Sequence, residues 1–146
     1  MTPEEAYDLV MVALTIYREA AAEPYDGKRA VASVMRNRWE HPGWWGKTPA
    51  GVVTARLQFS AMTAPGDPNL VKWPKPEEQA WKDSLEIATC AVLGVLGDDT
   101  KGATHYLNPK SLAKLPEWAR DADNPTMVDE SKVTTRIGNH VFMKLA

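Results

Sequence analysis

The sequence predicts a single helix-rich α+β domain with one hydrophobic core and a small, late antiparallel β element. Three observations carry that reading. Apolar residues recur at helical spacing in two long segments before residue 40 and in a third between about residues 75 and 97. Alternating patterns are short and, apart from Leu57–Ser60, fall after residue 102. A length of 146 residues suits one domain with a sizeable core.

The first helix opens at Thr2-Pro3-Glu4-Glu5, where Thr2 can cap, Pro3 suits the first helical position and Glu5 completes a capping box. Ala6, Leu9, Val10, Ala13, Ile16, Tyr17 and Ala20 give it a wide apolar face, and Asp8, Val12, Thr15 and Glu19 fall on the remaining one. Glu23-Pro24 ends it, because a residue before proline is pushed out of the helical region. Asp26-Gly27 then caps a second helix running to about Trp39, with Ala30, Val31, Val34 and Met35 as its seam and Lys28, Arg29, Arg36 and Arg38 mostly off it. Thr48-Pro49 opens a short helix to about Ala55, and Leu57–Ser60 reads as a short strand. Thr63–Pro76 is a long Pro/Gly/Asn-rich surface loop, a kind that is usually functional or mobile. A further helix starts at Lys75-Pro76 and ends at Gly94 or Gly97, with Ala80, Trp81, Leu85, Ala88, Val92 and Leu96 inward. Asp98–Gly102 is a turn, Ala103–Asn108 a strand stopped by Pro109, Ser111–Ala119 a broken helical turn, and Val133–Met143 one or two strands around Gly138-Asn139.

Composition narrows the function classes. A net charge of −2 supplies no basic field for nucleic acid or an anionic membrane. No stretch reaches the roughly 18–20 apolar residues of a membrane span. Cys90, the one cysteine, excludes an internal disulfide framework and a cysteine-based zinc site, and its apolar neighbours predict a buried, inert thiol. His41, His105 and His140 lack metal-binding spacing, so neither metal nor cofactor is expected. The start M-T-P-E-E-A-Y-D carries no basic segment followed by an apolar run, which predicts cytoplasmic synthesis.

The chemistry concentrates at the break between the first two helices. Glu19 and Glu23 stand four residues apart, Glu19 beside Ile16, Tyr17 and Ala20. A carboxyl in such apolar surroundings can be held protonated and serve as a general acid; the competing reading is a solvated pair at a helix end. Trp44, Trp45 and Trp73 lie in loops, where indoles either stack on sugar rings or pin the loops to the body.

The run I-Y-R-E-A-A-A-E-P-Y-D-G-K-R-A-V-A-S-V-M-R-N-R resembles the opening signature of the SleB-type cell-wall hydrolases, the family of spore-cortex-lytic enzymes. Gln58-Phe59-Ser60, the helix around Ala80–Leu93, Gly102–Pro109 and Ile137–Phe142 match further segments in the family's order, so the resemblance covers the chain from about Leu9 onward. It implies a lysozyme-like fold and cleavage of peptidoglycan glycan strands between N-acetylmuramic acid and N-acetylglucosamine. The family's catalytic glutamate falls on Glu19 and the motif's second glutamate on Glu23, with Gln58, Ser60, Trp73, His105, Tyr106 and Asn108 as expected substrate contacts. The family usually has Arg-Gly where this chain has Ala21-Ala22, commonly Gln where Lys28 stands, and a second aromatic where Leu107 stands.

Two chemistries fit the resemblance: a lytic transglycosylase with Glu19 as its one acid/base, and a hydrolytic muramidase using a second carboxylate from Glu23, Asp98 or Asp99. A non-catalytic glycan-binding or phage structural module is the rival from another class. The expected setting is a monomeric phage endolysin, made in the host cytoplasm, released by a holin and acting on the wall from the periplasm.

Overall fold

The helix start at Thr2 forms as its sequence predicts. In the computed structural model, which describes residues 1–55 and 58–145, the Thr2 hydroxyl accepts the Glu5 N–H at 3.1 Å while the Glu5 carboxylate accepts the Thr2 N–H at 3.2 Å. Helix α1 (Pro3–Ala20) leads from there into the centre of the molecule, packed by α2 (Tyr25–Glu40), α3 (Pro49–Thr54), α4 (Ser60–Thr63) and α5 (Gln79–Val92). So wide an apolar face predicts a central helix, and the coverage extends beyond that face. Val12 and Thr15, on the remaining face, are fully buried, whereas Val10, assigned to the apolar face, is exposed. Thr15 is tolerated there because its hydroxyl bonds back to the Met11 carbonyl at 2.7 Å. α1 also stops at Ala20, three residues before Glu23-Pro24.

α2 starts at Tyr25, after an N-cap at Pro24 that makes no side-chain capping bond. Asp26 therefore lies in the first turn, where its charge complements the helix dipole. The seam Ala30, Val31, Val34 and Met35 is buried as expected. Lys28 and Arg38 are buried too, contrary to the expectation that they lie off the seam. Each is satisfied by main-chain carbonyls, the condition for taking a cation out of water.

The Leu57–Ser60 strand is not found at its described end: Ser60 opens α4, and Leu57 lies outside the described residues. α5 begins at Gln79, later than Lys75-Pro76, because residues 75–78 close a turn in which the Lys75 N–H reaches the Glu78 carboxylate at 2.9 Å. It ends at Val92, followed by Gly94 at φ +78°, the left-handed position that suits glycine after a helix. Cys90 is half-buried at the edge of the helical core, not fully enclosed.

Strands β1 (His105–Leu107), β2 (Val133–Ile137) and β3 (His140–Met143) form an antiparallel sheet in the order β1-β3-β2. Tyr106 pairs with Phe142, and Ile137 with His140 across the Gly138-Asn139 turn. Period-two alternation splits the sheet. Phe142 packs with Ala30, Val34 and Ala103 toward α2, while Leu107, Val141 and Met143 join Leu115 and Ala119 in a second cluster. The Ser111–Ala119 region holds 3-10 turns at Pro109–Ser111 and Glu117–Ala119. Among the described residues no helix is long and apolar enough to cross a membrane.

Candidate active site

Glu19 sits one residue before the end of α1 and is partly covered by α4 and β1. Its Oε2 accepts from the Tyr106 hydroxyl at 3.4 Å, and the Ala61 backbone N–H also reaches the carboxyl. Burial holds the carboxyl above the usual carboxylate range, with the Asp67 carboxylate adding to the rise. The Ala61 N–H, the Tyr106 hydroxyl and the Arg38 guanidinium pull the other way and only partly offset it. The result is an acid that stays protonated above the ordinary range and has receivers in place for its anion.

Arg38 is the cation of this site. Its Nε donates to the Thr104 carbonyl at 2.7 Å and its Nη1 to Gln58 Oε1 at 3.0 Å. The guanidinium stands over Phe59 at 5.1 Å and Trp45 at 5.9 Å, and burial lowers its proton affinity. Trp45 is anchored in turn by its indole N–H on the Arg38 carbonyl at 2.8 Å. Beside it, His105 is buried between Trp45 and Trp118, with ring centroids at 6.1 and 4.8 Å. Burial, aided by the Arg38 charge, takes the imidazole down to about 4, so His105 is neutral at physiological pH.

Tyr106 is fixed by strand pairing. Its ring meets His140 edge-on at 5.2 Å and lies tilted on Phe142 at 5.9 Å, both on the same face of β3. Burial first, and the neighbouring Glu19 second, hold the phenol well above its usual range, so it acts as a neutral donor.

The two glutamates of the helix break part company. Glu23 turns to the β2–β3 hairpin, its Oε1 at 3.5 Å from His140 Nδ1. Asp98 and Asp99 are committed elsewhere. Asp98 accepts from the Thr100 N–H and hydroxyl, the Gly102 N–H and the Asn37 amide, at 2.6 to 3.0 Å, and Asp99 pairs with Arg29 at 3.1 Å. The carboxylate whose charge acts on Glu19 is Asp67, at the cap of the 3-10 turn Pro68–Val71.

Among the other residues expected at the site, Gln58 is brought in by Arg38, and Ser60 is exposed next to Ala61. Trp73 is exposed and stacked on Arg18, 4.8 Å from the guanidinium. Arg18 itself is buried, with Nε on the Lys72 carbonyl at 3.0 Å and Nη1 on the Ala61 carbonyl at 3.3 Å, so it holds the 61–73 segment beside Glu19. His105 and Asn108 carry structural duties: His105 fills an aromatic slot, and the Asn108 side-chain oxygen accepts the Lys110 N–H at 3.1 Å to cap a 3-10 turn. Arg38, Asp67 and the Ala61 N–H were missed by sequence reasoning. Arg38 stands in the matched R-N-R run and could have been found there; the other two are placed by α4 and the segment that follows it.

Comparison with known proteins adds a second line. A family model described as cell wall hydrolase matches residues 22–143. The spore cortex-lytic enzyme of Halalkalibacterium halodurans is 31% identical over 137 residues, covering 92% of this chain and 34% of that protein. The corresponding figures for the spore cortex-lytic enzyme of Bacillus subtilis are 28%, 92% and 37%. The chain thus spans about a third of the length of these curated relatives. Among solved structures, the catalytic domain of the germination-specific lytic transglycosylase SleB from Bacillus anthracis superposes with a TM-score of 0.68 at 26% identity, covering 99% of this chain and 97% of that one. The Bacillus cereus SleB catalytic domain gives 0.66 at 26% identity, covering 95% and 91%. The lysozyme-like architecture expected from the sequence is the one these neighbours share.

Proposed function

The chain belongs to the cell wall hydrolase family, and on that premise we propose that it cleaves the glycan strands of peptidoglycan between N-acetylmuramic acid and N-acetylglucosamine, with Glu19 as its general acid and base. The observation that carries the reading is the balance around Glu19. Burial raises the proton affinity of the carboxyl, and three donors or positive groups stand ready for the anion it becomes. Glu19 lies three residues ahead of the span matched by the family model, so its role rests on this geometry and on the motif around it.

The reaction proposed is that of a lytic transglycosylase. Glu19 gives its proton to the glycosidic oxygen, the bond from that oxygen to the muramic acid C1 breaks, and the glucosamine residue leaves with a free hydroxyl. Positive charge developing at C1 is then quenched by the sugar's own C6 oxygen, whose proton returns to Glu19 as the 1,6-anhydro ring closes. One carboxyl serves both proton transfers and no water is consumed. Such acid–base assistance is worth about 10²–10⁴ in rate. Gln58 and Ser60 are the polar groups we place against the substrate, with Trp73 as a stacking face on one side of Glu19. His105 and Asn108 shape the wall behind them.

One observation favours a hydrolytic second reading: the Asp67 carboxylate acts on Glu19 and could activate water. Mass spectrometry of digested peptidoglycan separates the two, because 1,6-anhydromuramic ends are expected and hydrated reducing ends would replace the transglycosylase step by hydrolysis. Glu19→Gln should fold normally and lose nearly all lysis of outer-membrane-permeabilised cells; an unchanged clearing rate would reject the assignment and favour a glycan-binding module. The relatives named above are spore cortex-lytic enzymes, and the phage origin and holin release expected from the sequence receive no support from them.

A further inference from the structure

The second glutamate of the helix break has no place in the proton transfers, yet the fold is shaped around it. The Glu23 and His140 side chains are 12% and 9% exposed, and Nδ1 of His140 is buried with no hydrogen-bond partner among the described residues, the Glu23 carboxylate facing it at 3.5 Å. Two glycines leave room for this pair. A Cβ on Gly27, inside the first turn of α2, would fall 3.0 Å from Glu23 Cβ. One on Gly138, at φ +59° in the hairpin turn, would fall 3.2 Å from Glu23 Oε2. Glycine within a helix is unfavourable by itself, and a buried polar pair is seldom more stabilising than an apolar one of the same shape. Local rules broken together at one spot point to function.

The connection to the acid runs through one ring. Burial lowers the proton affinity of His140, with Glu23 only partly restoring it, and the Glu23 carboxylate is the acidic group that faces its Nδ1, at 3.5 Å. The His140 ring then meets Tyr106 edge-on at 5.2 Å, and the Tyr106 hydroxyl reaches Glu19 Oε2 at 3.4 Å. We propose that Glu23 and His140 are positioning residues: they tie the turn after α1 to the β2–β3 hairpin and, through the Tyr106 ring, aim the phenol at Glu19. This rests on Glu19 being the acid and base.

The test is a double-mutant cycle on Tyr106→Phe and His140→Leu, read as kcat and KM for release of anhydro ends from soluble glycan oligomers, with Tm alongside. Each single change should lower kcat about ten- to a hundredfold with KM within about twofold, the cost of a small misplacement. In the Tyr106→Phe background, His140→Leu should cost less than about twofold more, because the hydroxyl it aims is already gone. Equal losses in both backgrounds, or a fall in Tm with kcat unchanged, would overturn the positioning role. Should His140→Leu fail to fold, Glu23→Gln and Glu23→Leu replace it: Gln keeps an oxygen facing Nδ1 and should retain several-fold more kcat than Leu, and equal kcat for the two would overturn the proposal. Glu19→Gln serves as control. Activity surviving in Glu19→Gln would bring down the underlying reading, whereas an inactive Glu19→Gln with independent Tyr106 and His140 effects would bring down only the positioning proposal.

Discussion

His105 offers a quantitative test of how the site wall is built. The ring is 8% exposed, held between Trp45 and Trp118, with Thr104 Oγ1 at 3.0 Å from Nδ1 and the Arg38 guanidinium nearby. Burial foremost, then Arg38, lowers its pKa from 6.5 to about 4. In the unfolded chain the imidazole takes up a proton near the ordinary value, while in the folded chain it does so only near 4. Between those two values the unfolded state binds more protons, so stability rises with pH across the window and is lost as pH falls through it. The size follows from the same two values: about 2 kcal/mol is lost by pH 5 and about 3 kcal/mol by pH 4, at ~1.4 kcal/mol per tenfold change. Urea unfolding of the wild type and His105→Gln at pH 7, 5 and 4 measures it. The variant has no ring to titrate, so the stability gap between the two proteins should move by those amounts in the variant's favour on acidification. Parallel decline, with the gap constant to about 0.5 kcal/mol, would refute a neutral, desolvated ring.

Three further changes probe the frame around the acid. Glu19→Gln should raise Tm at pH 7, because burial makes the ionised carboxylate costly; the gain should vanish below about pH 4.5, where even the unfolded chain holds the proton. Lys28→Met should cost about 1–3 kcal/mol in urea unfolding, since it strips the partly buried Ala21 and Glu23 carbonyls of their donor, and a loss under 0.5 kcal/mol would show that the ammonium is not their support. Asp98→Ala should cost about 1–3 kcal/mol by leaving the Thr100 and Gly102 N–H groups without their acceptor and the Asn37 amide with its Ala103 bond alone, with hydrogen exchange at Thr100 and Gly102 accelerating in step.

The helices were legible because their signals are local. Thr2 to Glu5 and Thr48-Pro49 specify caps within a few residues, and the Ala30–Met35 seam states its own periodicity. The full extent of the burial of α1 was not, since Val12 and Thr15, on its remaining face, are enclosed only once neighbouring helices cover that face as well. Cations misled for the same reason. Lys28 and Arg38 read as solvated on a helix wheel, and only tertiary structure brings the carbonyls of Ala21, Glu23 and Thr104 within reach. At the site, Glu19 could be singled out because its neighbours in sequence are also its surroundings. Asp67 and the Ala61 N–H could not, because they come from α4 and the segment after it, which Arg18 ties down through long-range bonds to the Ala61 and Lys72 carbonyls.

The turn between the two glutamates joins these points. The family resemblance places a glycine where Ala22 stands, so the turn either needs a left-handed residue there, costly for alanine, or is built differently. Ala21 is right-handed, at φ −57° and ψ −35°, and among the described residues Lys101 is the non-glycine with positive φ. Without a left-handed residue to fold the chain back, the carbonyls at the end of α1 need another donor, and the Lys28 ammonium supplies it from the first turn of α2. The chain's departures at Ala22 and at Lys28 are thus two halves of one device. By holding the Glu23 carbonyl, the lysine also fixes the turn from which the Glu23 side chain runs toward His140.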